Sequence, residues 1–168
     1  MRIAVIAIAL FFSGLTTNAQ NLSVDLEKAE VRFDFVGDQT KGTVSGLKCE
    51  ITFDPSDLSK SSISGTVDAS SLTTGNPARD KHLSSSDFFD VSKFPVMKFT
   101  SNEVVKDGKE YVVNGSLTIK EVTEPCAIRF TYEDGVFLGK TTIDAAKYGV
   151  SPGKKEGTVN ITFVLPVV

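Results

Sequence analysis

The chain has no tryptophan, one histidine and two cysteines among its 168 residues. One histidine with scattered carboxylates falls short of a typical zinc set, and Cys49 and Cys126 stand far from it in sequence. A metal centre is therefore not expected. No glycine-rich phosphate loop and no dinucleotide fingerprint is present, which removes the common nucleotide-dependent enzymes. Basic residues number 18 against 21 acidic ones, with no basic stripe, so nucleic-acid binding is unsupported. No long stretch keeps a helical period, which excludes a helix bundle. No apolar run reaches the ~20 residues of a spanning helix.

The first residues carry a different signal. Arg2 supplies a positive start, Ile3 to Phe12 is apolar, and small and polar residues follow as far as Thr17-Asn18-Ala19. That order predicts a secretory signal peptide, residues 1–19, cleaved after Ala19, and a periplasmic or secreted protein. No cysteine follows the cleavage site, so a lipoprotein anchor is not expected. Residues 20–168 form one domain, long enough for a core. In an oxidising compartment Cys49 and Cys126 can form one disulfide; two buried thiols on apolar strand faces is the other reading.

What the chain has in plenty is alternation. Val31, Phe33 and Phe35 share a face opposite Arg32 and Asp34. Leu47, Cys49, Ile51 and Phe53 share another, and so do Ile63, Gly65, Val67 and Ala69. Later faces are Tyr111, Val113, Leu117 and Ile119; Cys126, Ile128, Phe130 and Tyr132; and Val159, Ile161, Phe163 and Leu165. Asp54-Pro55, Asp107-Gly108, Asp134-Gly135 and Pro152-Gly153 punctuate them. Many one-faced strands joined by tight turns predict an all-β fold, a closed antiparallel barrel, with a two-sheet sandwich as the alternative. Phenylalanine is abundant, 12 residues, and much of it falls on the inward faces. Such a barrel holds packed side chains or one small ligand, and periodicity does not distinguish a filled interior from a hollow one.

The run from Ser70 to Thr100 breaks the alternation. It gathers Arg79, Asp80, His82 and the pair Phe88–Phe89, and it is longer than an ordinary strand connection. Asn76 to Ser85 can form one short helix, with Asn76 as its cap and Pro77 at its first position. Asp80, His82 and Ser84–Ser86 include the residue types of a hydrolase triad, but no strand-turn-helix nucleophile elbow accompanies them. The other reading pairs Arg79 with Asp80 and ties His82 within the insert. Phe88 and Phe89 cannot both point to one side of an extended segment. One is expected to plug the barrel and the other to face the insert or a ligand entrance.

At these residues the chain resembles a known family. Thr74-Gly75-Asn76, Arg79-Asp80, His82-Leu83, Asp87-Phe88-Phe89-Asp90, Phe94-Pro95 and Lys98-Phe99 are similar in order to the YceI-like family of secreted bacterial proteins. Val31-Arg32-Phe33, Ile51-Thr52-Phe53-Asp54 and Asn114-Gly115-Ser116-Leu117-Thr118-Ile119 extend the likeness from Leu22 to Leu165. The resemblance implies a lipocalin-like barrel with a helical cap, enclosing an isoprenoid chain such as a polyprenyl lipid or quinone. It turns the phenylalanine-rich interior from core into lining. The ligand-contacting set expected on these grounds is Val31, Phe33, Phe35, Phe53, Arg79, His82, Phe88, Phe89, Phe94, Phe99, Tyr111, Phe130, Tyr148 and Phe163. Two segments depart from the family pattern. Ala145 stands where an arginine is expected, with Lys147 nearby as a substitute cation, and Gly37 to Gly42 replaces a histidine-containing segment.

The combined reading is a carrier or sequestering protein, not an enzyme, with an amphiphilic lipid or quinone as its partner and transient contact with a membrane or membrane protein. No cofactor is expected beyond that bound lipid. An enzyme built around His82 and a sandwich that engages proteins through the insert are the alternatives.

Overall fold

A strand with one apolar face needs something to cover that face, and its edges need partners. The computed structural model describes residues 20–168 apart from 152 and 154–156. The predicted leader, and Pro152 of the Pro152-Gly153 turn, lie outside the described residues. Ten strands follow: β1 Gln20–Leu22, β2 Glu30–Phe35, β3 Thr40–Val44, β4 Lys48–Phe53, β5 Ser62–Asp68, β6 Val96–Asp107, β7 Glu110–Ile119, β8 Val122–Glu133, β9 Val136–Asp144 and β10 Thr158–Pro166. They make one antiparallel sheet in the order β1-β4-β5-β6-β7-β8-β9-β10-β2-β3, curled into a barrel. A single continuous sheet corrects the sandwich alternative.

Closure depends on one segment. β3 pairs with β2, and the chain then runs on as β4, which pairs with β5 at the other end of the order. One length of chain, Thr40 to Phe53, thus changes partners midway and joins the two ends of the sheet. The change happens at Gly46, which has φ +70 and sits against Asp68. Two further ties hold the seam. The Asp68 N–H donates to the Ser45 carbonyl, and Thr43 and Thr73 exchange backbone bonds, both at 3.0 Å.

β9 has no apolar alternation to announce it, because its inward positions include Gly139 and Thr141 between Phe137 and Ile143. Its register is set by β10, where Gly139 faces Phe163. The tight turns fall as expected at Asp107-Gly108 and Asp134-Gly135, where Gly108, Asp134 and Gly135 all have positive φ.

The insert between β5 and β6 forms helix α1, Pro77–Ser84. Asn76 caps it, accepting from the Ala78 and Arg79 amides at 3.1 and 3.2 Å. The chain then doubles back, with the Asp90 and Phe88 amides bonded to the Ser85 carbonyl and Phe89 to that of Leu83. The expected Arg79–Asp80 pairing is corrected here. Asp80 instead takes Thr73 Oγ1, the Thr74 amide and Thr74 Oγ1 at 2.8, 2.8 and 2.6 Å. Arg79 reaches the other way, to Thr40 Oγ1 on β3 at 3.1 Å. A helix start has free amides and hydroxyls beside it, and these satisfy a carboxylate more directly than a side chain next to it in sequence.

Gly46→Ala tests the closure. A methyl group there would meet the Asp68 Cβ at 2.8 Å in a left-handed backbone, whereas Gly75, at φ +73, has open space around it. Gly46→Ala is expected to lose ~1–3 kcal/mol, read as a lower urea midpoint, and Gly75→Ala to lose less. Equal losses would mean that the Gly46 contact is not a constraint.

Candidate ligand cavity

The inward faces of the strands enclose a cavity of about 810 Å³ whose lining is overwhelmingly apolar. The cavity persists because of how the phenylalanines lie. Phe33 pairs across the strands with Gly42, and a Cβ on Gly42 would stand 2.4 Å from its ring. Phe99 covers Gly115 in the same way, at 2.6 Å. Each ring occupies the space of the missing side chain and rests on the wall.

The two ends are filled differently. At the end away from α1, Phe53 meets Tyr111, Phe130, Tyr132 and Phe137 edge-on, with ring centroids 5.0 to 5.6 Å apart. Val104, Val113, Ile51 and Leu165 pack around them. This aromatic plug closes the barrel. At the α1 end, Ile119, Ala145, Tyr148, Val150 and Val159 form a second cluster, against which Phe33, Phe35 and Phe89 pack. Arg79, His82, Leu83, Phe88 and Phe89 from the insert complete the lining above it, so the insert is a cap.

Of the residues expected to line the cavity, Val31, Phe33, Phe35, Phe99, Phe130 and Phe163 do so from the strands, and Arg79, His82, Phe88 and Phe89 from the cap. Four do not. Phe53 and Tyr111 belong to the plug, because β4 and β7 deliver them to the closed end. Phe94 is tied into the tail of the insert, its amide bonded to the Asp90 carbonyl. Tyr148 sits in a 3₁₀ turn, Ala145–Tyr148, that buries it in the cap-end cluster beside the outer groove and not in the cavity lining. Leu72, Leu83, Met97 and Val150 line the cavity and were missed. Only Leu83, within the His82-Leu83 motif, and Met97, beside Lys98-Phe99, carried a signal.

The barrel is plugged by its own aromatics, not by Phe88 or Phe89. Phe88 stands edge-on to His82, centroids 4.9 Å apart, and Phe89 joins the cap-end cluster, so the two rings do take different partners. Lys147 is exposed beside the outer groove, while buried Ala145 lines the cavity. Lys147 therefore does not substitute for an inward arginine. In the departing segment, Asp38 and Thr40 help form the cavity rim near Arg79.

The disulfide is corrected: Cys49 and Cys126 are free thiols. β4 and β8 are separated by three strands in the sheet, each adding ~4.8 Å, well beyond the ~7 Å Cα reach of a disulfide. Both line the cavity, and burial pushes both thiols up, so they stay protonated. The triad-like residues are not assembled. Ser84 and Ser85 hydroxyls donate to the main-chain carbonyls of Asp80 and His82, and His82 Nε2 faces Asp87 at 3.5 Å. Among the described residues, no three His, Cys, Asp or Glu stand together as a metal site. The cavity's chemistry is that of enclosure, with polar groups concentrated at the capped end.

The model of the YceI-like domain matches residues 22–166. The chain belongs to the YceI-like family. The UPF0312 protein plu2095 of Photorhabdus laumondii is 43% identical over 84 residues, 50% of this chain and 44% of that protein. Protein YceI of Salmonella arizonae is 38% identical over 87 residues, 52% of this chain and 46% of that protein. The chain thus spans less than half the length of these curated relatives. Burkholderia cenocepacia BcnA has a similar structure, with a TM-score of 0.80 and 26% identity over 85% of this chain and 98% of that one. A polyisoprenoid binding domain from Saccharophagus degradans, implicated in plant cell wall breakdown, superposes with a TM-score of 0.60 at 15% identity, over 89% and 98% of the two chains. That second likeness is one of fold.

The cap's hold depends on pH through Asp80. The hydroxyl of Thr74, above all, lowers the Asp80 carboxyl from its ordinary 3.8, with Thr73 Oγ1 and the Thr74 amide helping. A carboxyl lowered by folding stabilises the fold above its unfolded value and loses that contribution as pH falls through the folded one. Amide exchange at Thr74 is therefore expected to be slow above pH 4 and to accelerate below about pH 3.8 relative to the strand amides. In Asp80→Ala, which has no acceptor, it should be fast at every pH. A wild-type amide no better protected than the variant's at neutral pH would show that the carboxylate does not latch the cap.

Proposed function

We propose that this protein holds an amphiphilic molecule of the isoprenoid type, a polyprenyl lipid or quinone, inside the barrel, and carries or sequesters it in the periplasm or outside the cell. The observation that carries this reading is the hollow, apolar interior, closed by an aromatic plug at one end and edged with polar groups at the other. A flexible apolar chain matches such a space, and a polar head matches its rim. The Saccharophagus degradans domain of similar fold, described as polyisoprenoid binding, supports the choice of ligand class. The predicted leader peptide supports export.

The mechanism is burial. Covering ~400 Å² of apolar tail yields ~10 kcal/mol before the costs of association are subtracted. Few polar contacts are then needed for tight binding. No bond is made or broken, and the hydroxyls beside His82 are occupied by backbone carbonyls. Release requires an acceptor that also covers the tail, so contact with a membrane or a membrane protein fits the reading.

Mass spectrometry of an organic extract of the purified protein tests it, together with titration of a fluorescent prenyl alcohol. Wild type is expected to yield an isoprenoid and to bind the probe. Cys49→Phe, which places a ring in the lumen from β4, is expected to weaken probe binding about tenfold, ~1.4 kcal/mol, with the fold retained by circular dichroism. A wild-type protein that neither yields an isoprenoid nor binds the probe overturns the carrier reading.

A further inference from the structure

The ladder between β8 and β9 stops partway. Arg129 and Lys140 are its last pair, yet β8 begins at Val122 and β9 continues to Asp144. Both strands stay in the sheet there, because β7 holds β8 as far as Val122 and β10 holds β9 as far as Asp144. The barrel wall is split at the capped end. The cause lies in the residues on that edge. Thr141 Oγ1 donates to the Ala127 carbonyl at 2.8 Å, so the backbone groups of Ala127 face β9. Backbone groups alternate in direction along a strand, so Pro125 turns its nitrogen to the same edge, and that nitrogen has no hydrogen to give.

The split joins two spaces. Cys126, Thr141, Ile143 and Ile161 line both the interior cavity and a groove of about 660 Å³ on the outer face. Tyr148 closes the place from the 3₁₀ turn, where β8 packs against it; it is 2% exposed and lines the groove. Burial first, then the neighbouring Cys126 and Glu124, push its phenol up to about 12, so it is a neutral, largely apolar plug. The turn ends on Gly149 at φ 68, a residue that can change its backbone angles without a side-chain clash.

We propose that the split between β8 and β9 is a side portal through which the apolar chain of the bound amphiphile enters and leaves, Tyr148 being the side chain that swings aside. The proposal rests on the carrier reading. The cap is the costlier route. Moving it breaks the Asp80 contacts to Thr73 and Thr74, the Arg79–Thr40 bond and the backbone bonds between Thr43 and Thr73. At the split, the backbone ladder bonds are already missing among the described residues, and the side-chain bond from Thr141 Oγ1 to the Ala127 carbonyl is the one named bond to break.

Cys126 Sγ and Thr141 Oγ1 lie 3.6 Å apart across the split, so Thr141→Cys sets two thiols face to face. In a Cys49→Ala background this pair is bridged by oxidation or by a short bis-alkylating reagent, and release of the fluorescent prenyl alcohol is followed by stopped flow. The bridge is expected to slow release about tenfold, an off-rate effect, and cleavage of the disulfide to restore it. Bridging the cap instead, with Thr43→Cys and Thr73→Cys, whose backbones already pair and which lie outside the cavity lining, is expected to leave the rate nearly unchanged. Release that ignores the wall bridge, or slows only when the cap is bridged, overturns the portal. A second measurement needs no lipid. Tyr148→Ala in the same background is expected to speed alkylation of Cys126 by an apolar maleimide about tenfold. Faster alkylation without any probe binding sinks the carrier reading and leaves the opening standing, whereas an unchanged rate sinks the portal.

Discussion

The structure depends on one length of chain having two sets of neighbours. An antiparallel sheet of this size has two edges, and an exposed edge is a row of unpaired amides and carbonyls. Here the segment from Thr40 to Phe53 is hydrogen-bonded to β2 in its first half and to β5 in its second, so a single covalent strand spans the seam. The partner change needs a kink against Asp68, which Gly46 supplies. The cap is anchored at this seam, through Thr73 to Thr43 and Arg79 to Thr40, so closing the sheet and positioning the cap are one event.

A closed barrel need not be hollow. Its inward faces carry enough phenylalanine to fill the space, and burial favours filling. The rings instead rest on glycines, as Phe33 on Gly42 and Phe99 on Gly115, and the lumen stays open. The cost is lost dispersion contact along the middle of the barrel. Tight packing is concentrated at the two ends, in the Phe53-centred plug and in the cluster of Ile119, Tyr148 and Val159. On the carrier reading, the ligand's own chain supplies the missing middle of the core, and occupancy adds to stability by mass action.

The residues of the cap show how far local reasoning reaches. Asn76 and Pro77 start a helix by rules that involve only their immediate neighbours, and the helix is there. Arg79 and Asp80 sit side by side in sequence, but consecutive helix residues point in different directions. One faces β3 and the other the Thr73–Thr74 turn. The pairing expected from adjacency therefore does not form, and each charge finds a hydroxyl instead.

Alternation by itself determined the strand faces, because the side-chain period of two is a property of the extended backbone and needs no partner. The inward direction of Val31, Phe33, Phe130, Phe163 and the two cysteines follows from it, as do the turns at Asp107-Gly108 and Asp134-Gly135. Order around the barrel and depth along its axis were decided only by the tertiary structure. Phe53 and Tyr111 obey the same alternation as Phe33, yet they end in the plug, because depth depends on register with strands distant in sequence. The separation of Cys49 from Cys126 follows from the strand order, and the absence of Tyr148 from the cavity lining from the turn that buries it in the cap-end cluster. Strand β9 stayed hidden because its inward Gly139 has no side chain to alternate; its place is taken by Phe163 from the neighbouring strand, a relation that exists only once the two are paired.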